Sequence, residues 1–286
     1  MIENRPFATR ARTLDHLGRE QIADVPTAVS ELWKNAYDAY ATDVKLRVMD
    51  SDRLMVTLID NGHGMSKEDI IEKWLVVGTD SKLTEGKRKS EPHFGLNHRI
   101  KQGQKGIGRL SSAHLGPLML MITKSQNNDS FIALLIDWRT FENPYLILSD
   151  ITTPLIELNN QNEIAEIIPA LSNALCENIT PIDVDNSSDA DKSRNARIRE
   201  AWRLYDEGST LGQFGPIPYQ IPSESILQSL NSIEFNTELI HPLFDGELQS
   251  KHGTALVIWD ANEELLGLFK GPDDESHKRF IQTLAG

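Results

Sequence analysis

The chain has one cysteine in 286 residues, Cys176, so it holds no internal disulfide and no cysteine-built zinc site, which suits a reducing compartment. No run of about 18 apolar residues occurs, and the opening MIENRPFATRARTLDHLG lacks the apolar core of a signal peptide. The expectation is a cytoplasmic protein with no membrane span. Positive charge is scarce: 29 Lys and Arg stand against 42 Asp and Glu, a formal net charge of -13. So acidic a surface repels phosphate backbones, which argues against nucleic-acid binding through this segment but leaves room for a small basic groove around a nucleotide. Internal repeats are absent, and so is the phosphate-loop sequence GxxxxGK[ST].

What the chain does have is the composition of a globular protein, 39% hydrophobic and 25% charged, and length for one large or two ordinary domains. DVPTAVSELWKNAYDAYA (24–41) reads as a helix with Asp24 as N-cap and Pro26 in the first turn. VKLRVMD (44–50) and LMVTLIDNG (54–62) read as a strand hairpin, and MSKEDIIEKWLVVG (65–78) as a short helix capped by Ser66 and Asp69. Residues 79–108 are polar, basic and glycine-rich without periodicity, the pattern of a long mobile loop, either functional or disordered. PLMLMITKS (117–125) and SFIALLIDW (130–138) are strand-like with nearly continuous apolar runs. Two helical patterns follow between 151 and 235, and TALVIWD (254–260) returns to strand. This order predicts an α+β layer of mainly antiparallel strands under helices.

Four stretches carry chemistry. ELWKNAYDA (31–39) sets Glu31, Asn35 and Asp38 three or four residues apart, on one side of a helix beside the apolar stripe of Leu32, Ala36 and Ala39. Such a row is either a solvated face or a site. DNGHGM (60–65) ends a strand with Asp60, whose carboxylate can point into a cleft and accept from an amino group, while Gly62 and Gly64 permit close approach of backbone and ligand. GQKGIG (103–108) precedes the helix-like RLSSAHLG, so its backbone N–H groups would face an anion. HGT (252–254) opens the late strand.

In this order and spacing the four stretches resemble the GHKL superfamily, the ATP-binding domains of gyrase-type topoisomerases, the large heat-shock chaperone, sensor histidine kinases and MutL. GTDSK (78–82) is similar to the corresponding segment of MutL and of the microrchidia (MORC) ATPases. The resemblance covers about residues 15–138 plus 252–260. It implies an α+β Bergerat-type two-layer sandwich, a mainly antiparallel mixed sheet covered by helices on one face. Residues 1–150 plus 251–265 would be the ATP-binding domain, 151–250 a helical insertion or subdomain of no named kind, and 266–286 the start of a following segment.

The resemblance also assigns roles. Glu31 would orient and deprotonate the water that attacks the γ-phosphate, Asn35 would coordinate Mg²⁺, and Asp38 would support them. Asp60 would accept the adenine amino hydrogen, with Thr254 behind it, Gly62 and Gly64 giving access, and Met65 packed on the base or sugar. Within Gly103–Gly108, which includes Ile107, the amides near Gln104, Gly106 and Gly108 and the Gln104 side chain would hold the terminal phosphate; Lys105 and Lys82 either add positive charge or are solvated loop lysines. A carboxylate at Glu31 resembles the hydrolysing branch rather than the sensor kinases.

The function so implied is slow Mg²⁺-dependent ATP hydrolysis that drives closure of residues 79–108 and nucleotide-dependent homodimerisation. Hydrolysis to ADP resets this switch, and a protein partner or downstream domain receives it. The alternative is a nucleotide-binding sensor or scaffold module whose partner does the chemistry. In the hydrolysing families a following domain supplies a lysine to the γ-phosphate. Only 26 residues follow Asp260, so the chain reads as a fragment and the source of that lysine stays open.

Overall fold

The computed structural model describes residues 7–19, 22–50, 52–77, 95–100, 102, 108–160, 162–185, 187–236, 239 and 251–285. They form two compact units. One comprises Gly18–Leu134, Leu155–Ile167 and Phe235–Gly286; the other comprises Met1–Leu17, Leu135–Pro154 and Ile168–Glu234.

Six strands, β1 (Val44–Met49), β2 (Met55–Asp60), β3 (Leu118–Lys124), β4 (Phe131–Asp137), β5 (Leu155–Leu158) and β6 (Gly253–Trp259), make one sheet in the order β1-β2-β6-β3-β4-β5. β1 with β2, β2 with β6, β6 with β3 and β4 with β5 all run antiparallel. Side chains alternate between the faces of a strand, yet Leu118 to Thr123 are all at most 1% exposed, so both faces of the sheet's middle are removed from water. This accounts for the unbroken apolar run of β3, which an ordinary one-sided strand would not show. The edge strand β1 is half-buried along its whole length. β5 lies inside 151–250, a stretch expected to be helical: only Leu158 of its four residues is buried, so neither alternation nor an apolar run marks it.

Helix α1 (Arg12–Arg19) precedes α2 (Val25–Asp38), which begins as the sequence dictates. Asp24 caps it, accepting from the Thr27 amide at 2.9 Å and the Thr27 hydroxyl at 2.6 Å, and Pro26 takes an early position where no amide is needed. The buried stripe Val25, Ala28, Val29, Leu32 and Ala36 leaves Glu31, Lys34, Asn35 and Asp38 on the polar side.

The helix expected over 65–78 is shorter and differently wound: Ser66 and Asp69 cap each other reciprocally, a single α-turn Lys67–Asp69 follows, and the chain passes into a π-helix over Ile70–Trp74. The last described helix, Glu275–Ala285, packs against α2 through the buried Phe280, and Arg279 reaches the Asp24 carboxylate at 2.8 Å. Residues 266–286 are thus part of the unit that holds α2.

In the second unit, the helix Asp189–Thr210 carries a Ser188–Asp191 capping box and buries Trp202, whose Nε1 donates to the Asn178 carbonyl at 2.7 Å. Arg197 grips the buried Asp150 carboxylate with two bonds of 2.8 and 3.1 Å. Cys176 ends the helix Glu163–Cys176 half-buried, and burial pushes its thiol pKa up, the condition of a packed rather than a reactive sulfur. No described helix is long and apolar enough to cross a membrane.

Candidate active site

The register of β2, β6 and β3 sets Asp60, Thr254 and Thr123 side by side, one residue per strand. Asp60 is 7% exposed, and burial pushes its carboxyl pKa up to about 6, against the backbone bonds from Gly62 and Thr254 that favour the ion. The Gly62 amide donates to its Oδ1 at 2.8 Å. Thr123, fully buried, accepts from the Met65 amide at 3.0 Å, donates to the Gly253 carbonyl at 3.0 Å and lies 3.1 Å from the Thr254 hydroxyl. A carbonyl only accepts, so the Thr123 proton goes to Gly253 and the proton between the two hydroxyls is Thr254's. Thr254 therefore keeps acceptor lone pairs beside Asp60. Asp60, Gly62, Met65 and Thr254 thus converge, and Thr123, absent from the sequence reading, is the atom that joins them.

Gly64 has a φ of 65°, and a Cβ there would fall 1.9 Å from the Lys124 carbonyl oxygen. No side chain fits. At Gly62 a Cβ would come within 2.8 Å of both Ala39 and the Asp60 carboxylate, so the turn after β2 is pressed against the end of α2. The His63 amide seals that contact on the Ala39 carbonyl at 2.9 Å. Asn61 Oδ1 also accepts from the amides of Thr42 and Asp43, at 2.8 and 3.0 Å. The Asp60 corner and the polar face of α2 are therefore one connected piece.

On that face Asn35 is exposed and meets Gly108: a Cβ on Gly108 would be 3.1 Å from the Asn35 Oδ1. Asp38 Oδ1 accepts from the Gln102 amide at 2.9 Å. Gln102 and Gly108, the described residues that flank 103–107, thus both lie against α2. Arg99 strengthens the first flank, donating to the Tyr37 and Ala41 carbonyls at 2.9 Å each and stacking 4.5 Å over the Tyr37 ring. On the second flank the Arg109 guanidinium donates to the carbonyls of Lys73, Trp74 and Val76 at the end of the π-helix. Glu31, half-buried, pairs with Lys34 at 2.7 Å. Lys82, Gly103, Gln104, Lys105, Gly106 and Ile107 lie outside the described residues.

To a hard cation the described residues would offer one ligand here, the Asn35 side-chain oxygen. Asn35 presents a neutral amide oxygen beside the tight approach of Gly108, and no group of three or more His, Cys, Asp or Glu that could cage a metal exists among the described residues. Mg²⁺ bound largely by water and substrate phosphates has no need of such a cage.

Residues 23–167 match the family model described as histidine kinase-, DNA gyrase B-, and HSP90-like ATPase. The chain belongs to this family. Its fold is the α+β sandwich of GHKL ATP-binding domains, and ATP is the ligand that the family binds. Among individual proteins, 45 residues are 47% identical to the DNA mismatch repair protein MutL of Trichlorobacter lovleyi, over 16% of this chain and 8% of that protein. MutL of Flavobacterium johnsoniae is 32% identical over 115 residues, 40% of this chain and 16% of its own length. A putative type II restriction enzyme HgiDII of Herpetosiphon aurantiacus is 30% identical over 99 residues, 35% and 15% of the two chains. The matched stretches span only 8% to 16% of the length of these proteins.

Proposed function

We propose that the chain binds ATP with Mg²⁺, hydrolyses it slowly and uses the cycle as a conformational switch. The observation that carries this reading is the junction of α2 with the β2 turn: it ties the buried Asp60 acceptor to the helix bearing Glu31 and Asn35, so that base and phosphates are read by one body. Asp60 accepts the adenine amino hydrogen, and Thr254 offers its free lone pairs to the base or to a water on it. Guanine carries a carbonyl at the corresponding position and meets an acceptor with an acceptor. Mg²⁺, held by the Asn35 amide oxygen, would neutralise charge on the phosphate oxygens. Glu31 orients the attacking water and takes its proton. Gly103–Gly108, flanked by Gln102 on Asp38 and Gly108 against Asn35, present amides to the terminal phosphate.

ATP then orders residues 79–108, and the segment before residue 24 meets a second protomer; ADP, without the γ-phosphate, leaves both undone. A role in DNA transactions, as the printed names of the similar proteins suggest, would use surfaces outside this acidic chain. The second reading, a nucleotide-binding module with negligible turnover, draws support from Lys34, whose ammonium occupies the Glu31 carboxylate. Turnover of [γ-³²P]ATP by wild type and by Glu31→Ala decides between them. We expect Glu31→Ala to bind ATP as wild type does and to release no phosphate above background. Equal turnover by the two proteins would remove Glu31 from the base role.

A further inference from the structure

On α2 the side chains of Glu31, Lys34, Asn35 and Asp38 fall within an arc of about 100°, at about 100° per residue. Asn35 and Asp38 on this arc face Gly108 and Gln102, the two flanks of the phosphate stretch. Glu31 is the proposed base. Lys34 alone has had no task, although its ammonium is 2.7 Å from the Glu31 carboxylate. A carboxylate that accepts an ammonium proton is a poorer acceptor for water, so this pair blocks the step that Glu31 has to perform. It is also a weak pair: with side chains 39% and 32% exposed, solvent competes for both partners.

We propose that Lys34 reads the terminal phosphate by changing partners. Water held by Glu31 must stand next to the γ-phosphorus to attack it, so an ammonium beside Glu31 is within one side-chain swing of the γ-oxygens. These carry more charge than one carboxylate and offer three acceptors, which draws the flexible Lys34 head away from Glu31. The same exchange frees the base and places a counter-charge on the phosphoryl group in transit. In the step itself the water oxygen bonds to the γ-phosphorus and its proton passes to Glu31. The bond to the bridging oxygen breaks, its electron pair leaves with ADP, and Lys34 stays protonated throughout. ADP offers no γ-oxygens, so with ADP bound Lys34 returns to Glu31. The chain thus carries in α2 a positive charge for the terminal phosphate, without one from another domain.

This inference rests on the proposed function, and the test separates the two. Affinities for ATP and ADP are measured by calorimetry with Mg²⁺, and kcat and KM by phosphate release, for wild type, Lys34→Met and Lys34→Arg, with thermal melts as a check on folding. The half-buried position lets methionine replace the stem without the charge. The expected result is at least a tenfold loss of ATP affinity in Lys34→Met with ADP affinity within twofold of wild type, a kcat lowered at least tenfold, and partial recovery in Lys34→Arg. A Lys34→Met protein with the wild-type ratio of ATP to ADP affinity overturns the inference, whether its kcat is unchanged, as for a mere helix-surface pair, or raised, as for a clamp on Glu31 alone. Wild type that binds no ATP overturns the proposed function as well.

Discussion

Asp60 holds its carboxyl out of water, and burial raises its pKa. Its pKa is pushed up to about 6 from 3.8, so between about pH 4 and pH 6 the folded protein holds a proton that the unfolded chain has released. Stability from this group is therefore greatest below pH 4, falls as pH rises through that window, and is level above about 6, a loss on the order of 3 kcal/mol at most. Asp60→Asn, which keeps an acceptor for the Gly62 amide, should unfold at a higher urea midpoint than wild type at pH 7 and lose that slope. Its affinity for ATP should drop by about 1–3 kcal/mol, the cost of spoiling a buried charge-assisted bond. In wild type, ATP affinity should also weaken below about pH 6, because binding must then expel the proton. An Asp60→Asn protein that binds ATP and GTP as wild type does would remove Asp60 from base selection.

At the scale of elements, the β2 turn is held by backbone geometry as much as by side chains. Gly64→Ala meets both a φ of 65° and a carbonyl oxygen 1.9 Å from the new Cβ, so the turn must open and Met65 must leave Thr123. We expect a loss of more than about 2 kcal/mol in stability. Nucleotide binding, followed by calorimetry at a temperature where the variant is folded, should be lost. Ala substituted with no change in melting temperature would show that the turn relaxes freely.

These elements were legible in unequal degree. The capped start of α2, the β1–β2 hairpin and the paired apolar runs of β3 and β4 follow from local pattern, and so do Asp60 and the α2 row. Thr123 escaped because a single hydroxyl inside LMLMITK looks like any tolerated polar residue until β6 is known to lie beside it. Lys34 escaped because a lysine on a polar helix face is ordinary. Arg109 escaped because its partners are three backbone carbonyls some 35 residues upstream, which no sequence pattern encodes. The π-winding of Ile70–Trp74 has no compositional mark at all.

At the scale of the whole molecule, charge governs association. Each copy carries a formal -13, so two protomers repel at long range, and the dimer proposed with a non-hydrolysable ATP analogue should strengthen as salt is raised through the physiological range. Sedimentation of the protein with analogue, with ADP and alone, at two salt concentrations, measures this. Hydrogen exchange over residues 79–108 measures the closure, and equal protection with ADP and with the analogue would sink the switch.

The strand order has a further consequence, in time rather than in space. β6 pairs with β2 and β3 at once, and it is the last strand of the sheet in the chain. As the polypeptide grows from its amino end, β2 and β3 have no strand to join them until residues 253–259 are made. Two apolar edges then wait through more than a hundred residues of synthesis, the circumstance in which chains pair with each other instead of with themselves. When β6 slots in, the sheet closes and Asp60, Thr254 and Thr123 come into line in a single event of high contact order. A nascent chain therefore has no Asp60–Thr254–Thr123 alignment in any partial form. Competence to bind nucleotide arrives with the final strand, and retention on an ATP resin reads out completed folding of the sheet.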